Sequence, residues 1–313
     1  MREDDLTWYD QEYAQEELTI YRKNRQKQNP PARVELAETN EETAEFITTY
    51  KPKRFEKGWL LSSLHAFHQQ NLLRDVLYSV KGGKEASVYC CSAPETLPVE
   101  LVAAKVYRPR EFRNLRNDKV YRDGRPVLTG DGKVVKSSDD RIMRAMDKKT
   151  DFGMQVQHTS WLMYEYTTMQ TLYAAGAAVP RPFGAAENAI LMGYHGDRYR
   201  AAPPLSEVRL DTEEAEELFQ EALRNIELFL EHGLIHGDLS AYNILYWEGK
   251  ITVIDFPQVV SCQGNSQAKF ILQRDITRVC DYFSHQGVEC CPEKIMKRLW
   301  KRYGVEEPPP VLV

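Results

Sequence analysis

No apolar run in the 313 residues approaches the roughly 18 uninterrupted positions that mark a membrane-spanning helix. The chain opens Met1-Arg2-Glu3-Asp4-Asp5, which lacks the apolar core of a secretion signal, so we expect a soluble, cytoplasmic protein with no membrane partner. The six cysteines (Cys90, Cys91, Cys262, Cys280, Cys290, Cys291) form no C-x-x-C pair and have no histidine at finger spacing. That pattern argues against a zinc site and for reduced thiols. Cationic excess is also absent: 41 Lys and Arg stand against 46 Asp and Glu, for a net charge of −5. Such a balance argues against a surface that coats nucleic acid, and no DNA partner is expected, although a local basic patch is still allowed. Finally, there is no Gly-Lys-Ser/Thr, so no Walker loop.

What is present is ample core material, 42% hydrophobic residues, in a length that suits one large or two small domains. Residues 1–58 form a separate zone in which roughly two residues in five are charged and Asn29-Pro30-Pro31 interrupts any helix. A solvated tail and a docking segment that lays Leu6, Trp8, Tyr9, Leu18, Ile20 and Tyr21 on the main body both fit this composition. From Trp59 onward the pattern turns apolar, with Trp59, Leu60, Leu61, Leu64 and Phe67 at helical spacing.

The most informative stretch is His236–Pro257. His236-Gly237-Asp238-Leu239-Ser240-Ala241-Tyr242-Asn243 leads into two short apolar runs around Trp247-Glu248-Gly249-Lys250, and Ile254-Asp255-Phe256-Pro257 leads out. The pattern predicts a hairpin with polar side chains at one mouth. An Asp on a loop, an Asn five residues later and an Asp after the next strand match the needs of phosphoryl transfer from a nucleotide. Asp238 is placed to orient a hydroxyl and accept its proton, and Asn243 and Asp255 to hold the metal that neutralises the phosphates. A solvated hairpin is the bland alternative.

Upstream, Lys81-Gly82-Gly83-Lys84-Glu85-Ala86-Ser87-Val88-Tyr89 puts a paired Gly between strand-like runs, which suits either an ordinary turn or backbone that approaches phosphates. Leu101-Val102-Ala103-Ala104-Lys105-Val106-Tyr107 is an apolar strand with one lysine, either an edge gatekeeper or a lysine that pairs phosphates. Residues 108–157 are charged and read as a long loop, whose basic cluster Arg108, Arg110, Arg113 and Arg116 suits an acidic or phosphate-bearing partner. Asp151-Phe152-Gly153 lies within this stretch, but a metal Asp must follow the catalytic loop, so this tripeptide is a decoy.

A helix is expected from Trp161 to Gly176, with Glu165 as the partner of Lys105 or, in the bland reading, a solvent-facing glutamate. The strand Ala189–Met192 then leads to a hinge where Met192 borders adenine and Tyr194 offers backbone hydrogen bonds, or else to a core methionine with an ordinary turn. Asp211-Thr212-Glu213-Glu214 has capping-box chemistry and opens a helix that stops at Gly233.

In this order, G-G-K-E-A-S-V-Y, A-A-K-V-Y, the glutamate helix, A-V-P-R-P, H-G-D-L-S-A-Y-N-I-L, I-D-F-P-Q and L-Q-R-D-I-T-R-V resemble the RIO family of atypical serine/threonine protein kinases over about residues 72–290. The resemblance implies an α+β, trimmed two-lobe protein-kinase-like fold over residues 59–313, with an N-lobe at about 72–192, a C-lobe at about 193–313 and the charged extension 1–58 in front. It implies ATP and Mg²⁺ or Mn²⁺ as cofactors, Lys105 on phosphate, Glu165 orienting it, Asp238 as base, and Asn243 and Asp255 on the metal. Gly82, Gly83, Lys84, Ser87 and Val88 fall in the phosphate loop, and Ser240 replaces the lysine common in ordinary protein kinases. No A-P-E appears, and only about 20 residues separate Asp255 from the next expected helix, which suits the loss of an activation segment. Gly193 stands where many relatives carry a hinge glutamate, and residues 1–79 hold too few periodic segments for a winged-helix domain. Two functions follow from the resemblance: a kinase that phosphorylates Ser or Thr on itself or a protein acceptor, or an ATPase switch bound to a ribosomal particle. A small-molecule kinase shares H-G-D and I-D-F and stands as a third reading.

Overall fold

The computed structural model describes residues 46, 48–53, 56–83, 85–108, 121, 123–136, 139–148 and 150–304. Most of the charged extension, Lys84, and the basic residues Arg110, Arg113 and Arg116 lie outside the described residues.

The N-terminal half is an antiparallel five-stranded sheet. In chain order its strands are β1 (Asp75–Gly82), β2 (Ala86–Ser92), β3 (Leu101–Tyr107), β4 (Pro182–Ala186) and β5 (Ala189–Gly193), arranged β1-β2-β3-β5-β4. The period of two in β2 and β3 sends Tyr89, Cys91, Val102, Ala104 and Val106 to one face, where they meet Leu60, Leu64 and Phe67 of helix α1 (Lys57–Gln69). Those three α1 side chains are at most 1% exposed, each worth about 1.5–3 kcal/mol of burial. Phe46 joins the same cluster, and the Tyr50 N–H donates to Val76 O at 2.8 Å. Because β3 lies between β2 and β5, Lys105 sits in the middle of the sheet and not at its edge.

The opposite face of the sheet packs on a long helix, α3 (Asp151–Ala174), through Tyr107, Ile190, Leu162, Met163, Met169 and Leu172. This corrects two expectations. The stretch 108–157 is not a continuous loop: it holds a bridged turn at Leu128 and Val134, a helix α2 (Asp140–Asp147) and the start of α3. The helix expected from Trp161 begins ten residues earlier, where the Thr150 hydroxyl caps it by accepting from the Gly153 N–H at 3.1 Å. Asp151-Phe152-Gly153 is therefore its first turn. Gly153 is needed there, because a Cβ would lie 1.9 Å from the carbonyl oxygen of Ala145 in α2.

The C-terminal half is mainly helical: α4 (Thr212–Glu231), α5 (Ala268–His285) and α6 (Pro292–Tyr303). Asp211 caps α4, accepting from the Glu214 N–H at 2.9 Å. The second half of the expected capping box is redirected, since the Glu214 carboxylate accepts from the Tyr246 hydroxyl at 2.5 Å. Gly233 ends the helix region at φ +70°. Short strands β6 (Leu234–Ile235) and β9 (Val260–Ser261) pair, as do β7 (Ile244–Trp247) and β8 (Lys250–Val253). The β7–β8 hairpin turns through Glu248 and Gly249, both at positive φ, as a two-residue I′ turn requires. Among the described residues no helix is long and apolar enough to cross a membrane, and all six cysteines are free thiols.

Candidate active site

The hairpin fixes the ends of a polar constellation between the sheet and the helical half. Lys105 extends from central β3, where its direct neighbours are Val88 on β2 and Ile190 on β5. Its Nζ donates to Glu165 Oε1 at 2.6 Å and to Asp255 Oδ1 at 2.5 Å. Glu165 is 3% exposed, so the solvent-facing alternative does not hold. Its second oxygen accepts from the hydroxyl of Tyr107, which lies two residues beyond Lys105 on the same face of the strand. Burial alone would lower the Lys105 pKa, but the Asp255 and Glu165 carboxylates outweigh it and hold the ammonium above the ordinary lysine value. Asp255 shows the mirror effect: burial raises its carboxyl, yet Lys105 wins and holds it below the usual carboxylate value. Its backbone is in the left-handed region at φ +72°, a conformation that surrounding contacts must sustain.

Asp238 and Asn243 occupy the loop that precedes β7. Asn243 Nδ2 donates to the Asp238 carbonyl at 2.9 Å and reaches Asp238 Oδ2 at 3.3 Å, while Arg278 Nη1 on α5 donates to Asp238 Oδ1 at 2.8 Å. Asn243 O accepts from the Ile254 N–H at 2.9 Å, so Asn243 is tied by its main chain to the residue before Asp255. His236 reinforces the link. One ring nitrogen, Nδ1, accepts from the Asp238 N–H at 3.2 Å, which leaves the proton on Nε2 to donate to Ile254 O at 3.0 Å. Burial holds this imidazole below the ordinary histidine value and so in its neutral form.

Helix α5 supports the loop from beneath. Buried Asp275 accepts from the Gly237 N–H at 2.8 Å, and Arg274 donates to the Gly237 carbonyl and, at 3.1 Å, to the Tyr121 hydroxyl. Burial pushes the Asp275 carboxyl up to about 7, against the opposing pull of the Gly237 N–H and Arg274. Gly237 itself, at φ +84°, has no room for a side chain: a Cβ would lie 2.1 Å from Gln258 O. Arg125 spans two parts of the site. Its Nη2 donates to Pro257 O at 2.9 Å and Val259 O at 2.8 Å, and its guanidinium stacks 4.2 Å from the centre of the Tyr164 ring, next to Glu165.

The remaining expected residues divide. Val88 and Met192 share the Lys105 face of the sheet, Met192 being opposite Ala103. Gly82 pairs with Ser87, and the Gly83 N–H closes the β1–β2 turn onto Ala86 O at 2.9 Å, around Lys84, which lies outside the described residues. Ser87 is not brought to Lys105. It is opposite Val106 and 4% exposed, on the α1 face, so only its backbone borders the β1–β2 turn. Tyr194, directly after β5, is held by its side chain, with its hydroxyl 2.7 Å from that of Tyr78 on β1.

Tyr107, Arg125, Arg274, Asp275 and Arg278 were not singled out for roles by sequence reasoning. Two of them were signalled: Tyr107 by its strand parity with Lys105, and Asp275 as an acid on the buried stripe Ile271, Leu272, Ile276 and Val279. Arg125 sits in a charged stretch with no periodic signal.

A family model for the RIO domain matches residues 119–296, which include Glu165, Asp238, Asn243 and Asp255 and begin after Lys105. The chain is similar to the RIO-type serine/threonine-protein kinase Rio1 of Haloferax volcanii, 30% identical over 213 residues, covering 67% of this chain and 63% of that protein. It is 32% identical to Rio1 of Thermoplasma acidophilum over 142 residues, 45% of this chain and 73% of that one. With Rio2 of Methanocaldococcus jannaschii it shares 34% identity over 146 residues, 44% of this chain and 53% of that protein. With a lysine, a buried helix glutamate, a loop Asp–Asn pair and a post-hairpin Asp joined in one network, and with the RIO domain matched over more than half its length, the chain belongs to the RIO family of atypical serine/threonine kinases.

Proposed function

We propose that this chain transfers the γ-phosphoryl group of ATP to a serine or threonine hydroxyl, on itself or on a protein acceptor. The observation that carries the reading is the bridge from Lys105 to both Glu165 and Asp255, since a lysine held by a helix glutamate beside a metal-binding Asp is what positions nucleotide phosphates. Lys105 binds phosphate oxygens, and Glu165, fixed in turn by Tyr107, keeps it extended. Asp238 orients the acceptor hydroxyl and takes its proton as the bond to phosphorus forms. Val88 and Met192 border the adenine, the main chain at Tyr194 provides its hydrogen bonds, and the turn at Gly82 and Gly83 covers the phosphates.

The donor set suits Mg²⁺ or Mn²⁺. Asp255 provides a hard carboxylate oxygen, and Asn243, whose Nδ2 is committed to Asp238, presents its amide oxygen. Bound there with ATP, the ion supplies charge neutralisation across the phosphates.

A second reading, an ATPase whose nucleotide state governs binding to a ribosomal particle, is favoured by one feature. Only residues 256–267 separate Asp255 from α5, and β9 within them is paired to β6, which leaves little chain for a peptide platform. Turnover of labelled ATP with and without candidate proteins and ribosomal subunits separates the two. Label on serine or threonine supports the kinase; phosphate release without a labelled acceptor supports the ATPase.

A further inference from the structure

We propose that Arg278 is a positioning residue for phosphoryl transfer, holding the Asp238 carboxylate and supplying beside it the cation that the catalytic loop lacks. The inference rests on the kinase reading above. Two residues after Asp238, where ordinary protein kinases carry a lysine, this chain has Ser240, which offers no charge. Arg278 brings one from another element. Its Nη1 lies 2.8 Å from Asp238 Oδ1, and Asn243 Nδ2 approaches the other oxygen at 3.3 Å. Donors on both oxygens fix the rotation of the carboxylate, and each oxygen keeps a second lone pair for an incoming hydroxyl.

The origin of the guanidinium strengthens the argument. Arg278 follows Arg274 and Asp275 by one turn of α5, and those two already hold the carbonyl and amide of Gly237. Successive turns of one helix therefore fix first the backbone and then the side chain of the same loop. The pair is half exposed, at 41% for Arg278 and 38% for Asp238, so its contribution to folding is small. A fixed cation next to a transferring phosphoryl group acts on the barrier instead, because the charge it faces grows in the transition state. The planar guanidinium carries five N–H donors, and the bond to Asp238 uses one, which leaves others for a phosphoryl oxygen.

The test compares full-length Arg278→Gln, Arg278→Lys and Asp238→Asn by steady-state ATP turnover and by calorimetric titration with MgATP. We expect Arg278→Gln to lower kcat on the order of 10²-fold, the cost of a small misplacement at the reacting centre, with KM and affinity for MgATP unchanged. Arg278→Lys should recover part of the loss, and adding Arg278→Gln to Asp238→Asn should cost clearly less than it costs wild type, because the part that runs through the Asp238 carboxylate is already gone. Unchanged or raised turnover in Arg278→Gln, alongside an inactive Asp238→Asn, overturns the proposal, as does an effect confined to KM. Full turnover in Asp238→Asn would instead overturn the kinase reading on which it rests.

Discussion

Lys105 and Asp255, 150 positions apart in sequence, meet at 2.5 Å between the central strand of the sheet and the exit of the β7–β8 hairpin. In the proposed reaction this lysine is the one that meets the nucleotide phosphates, already held by the carboxylate that is proposed to bind the metal. The two side chains nevertheless differ in what they face: Lys105 is 10% exposed and Asp255 41%. Removing Lys105 strands the Glu165 carboxylate in a buried site, at a cost of about 3–5 kcal/mol. Lys105→Ala should accordingly lower the melting temperature as well as nucleotide affinity. Asp255→Ala should leave the fold near wild type and abolish metal-dependent nucleotide binding. Calorimetric titration with ATP, with and without Mg²⁺, checks both, and unchanged affinity in Asp255→Ala would rule out its assignment to the metal.

Arg125 touches both the glutamate helix, through Tyr164, and the carbonyls of Pro257 and Val259 just after Asp255. Arg125→Ala should free that segment. We expect faster amide exchange across residues 256–262 and MgATP affinity lowered several-fold, with exchange in α4 unchanged. Equal exchange in both proteins would show that the segment is held without it.

Ser87 gives a prediction of opposite sense. Its place opposite Val106, on the α1 face, means that Ser87→Ala should leave nucleotide affinity within about twofold of wild type, while its buried hydroxyl costs about 1 kcal/mol of stability when lost. A large drop in affinity without a change in stability would contradict the register argument.

Asp275 makes stability depend on pH in a defined direction. Its carboxyl titrates at about 7 in the fold, against 3.8 as its ordinary value, so the folded state holds a proton that the unfolded chain has released between these values. The contribution of Asp275 is therefore full below pH 4 and declines as pH rises towards 7. The difference in unfolding free energy between wild type and Asp275→Asn should fall over that range. A difference that grows with pH would mean that the pull of Arg274 and the Gly237 N–H outweighs burial.

Much of this arrangement was legible in the sequence because it is local. The spacing of Asp238, Asn243 and Asp255 follows from a loop and a two-residue hairpin, and the apolar run around Lys105 announced a strand. Asp211 and Gly233 marked the ends of α4 by the same local chemistry. What escaped was tertiary. The first ten residues of α3 bury Gly153, His158 and Ser160, polar or small residues that give no apolar period, and the helix start depends on the close approach of α2. Glu214 bonds Tyr246 on a distant hairpin and not its own helix terminus. Ser87 missed the Lys105 face by one position, a parity that only the strand register sets.

The central claim is that Asp238 does chemistry, and MgATP turnover by Asp238→Asn, with calorimetric affinity measured on the same preparation, tests it most directly. Asp238 touches Asn243 and Arg278 but is not proposed to hold the metal, so the substitution removes a proton acceptor and leaves the nucleotide's own contacts in place. We predict MgATP affinity near wild type and phosphoryl transfer reduced by about 10²–10⁴-fold. Undiminished turnover in protein free of contaminating kinase would contradict the account and leave the pocket as a nucleotide sensor.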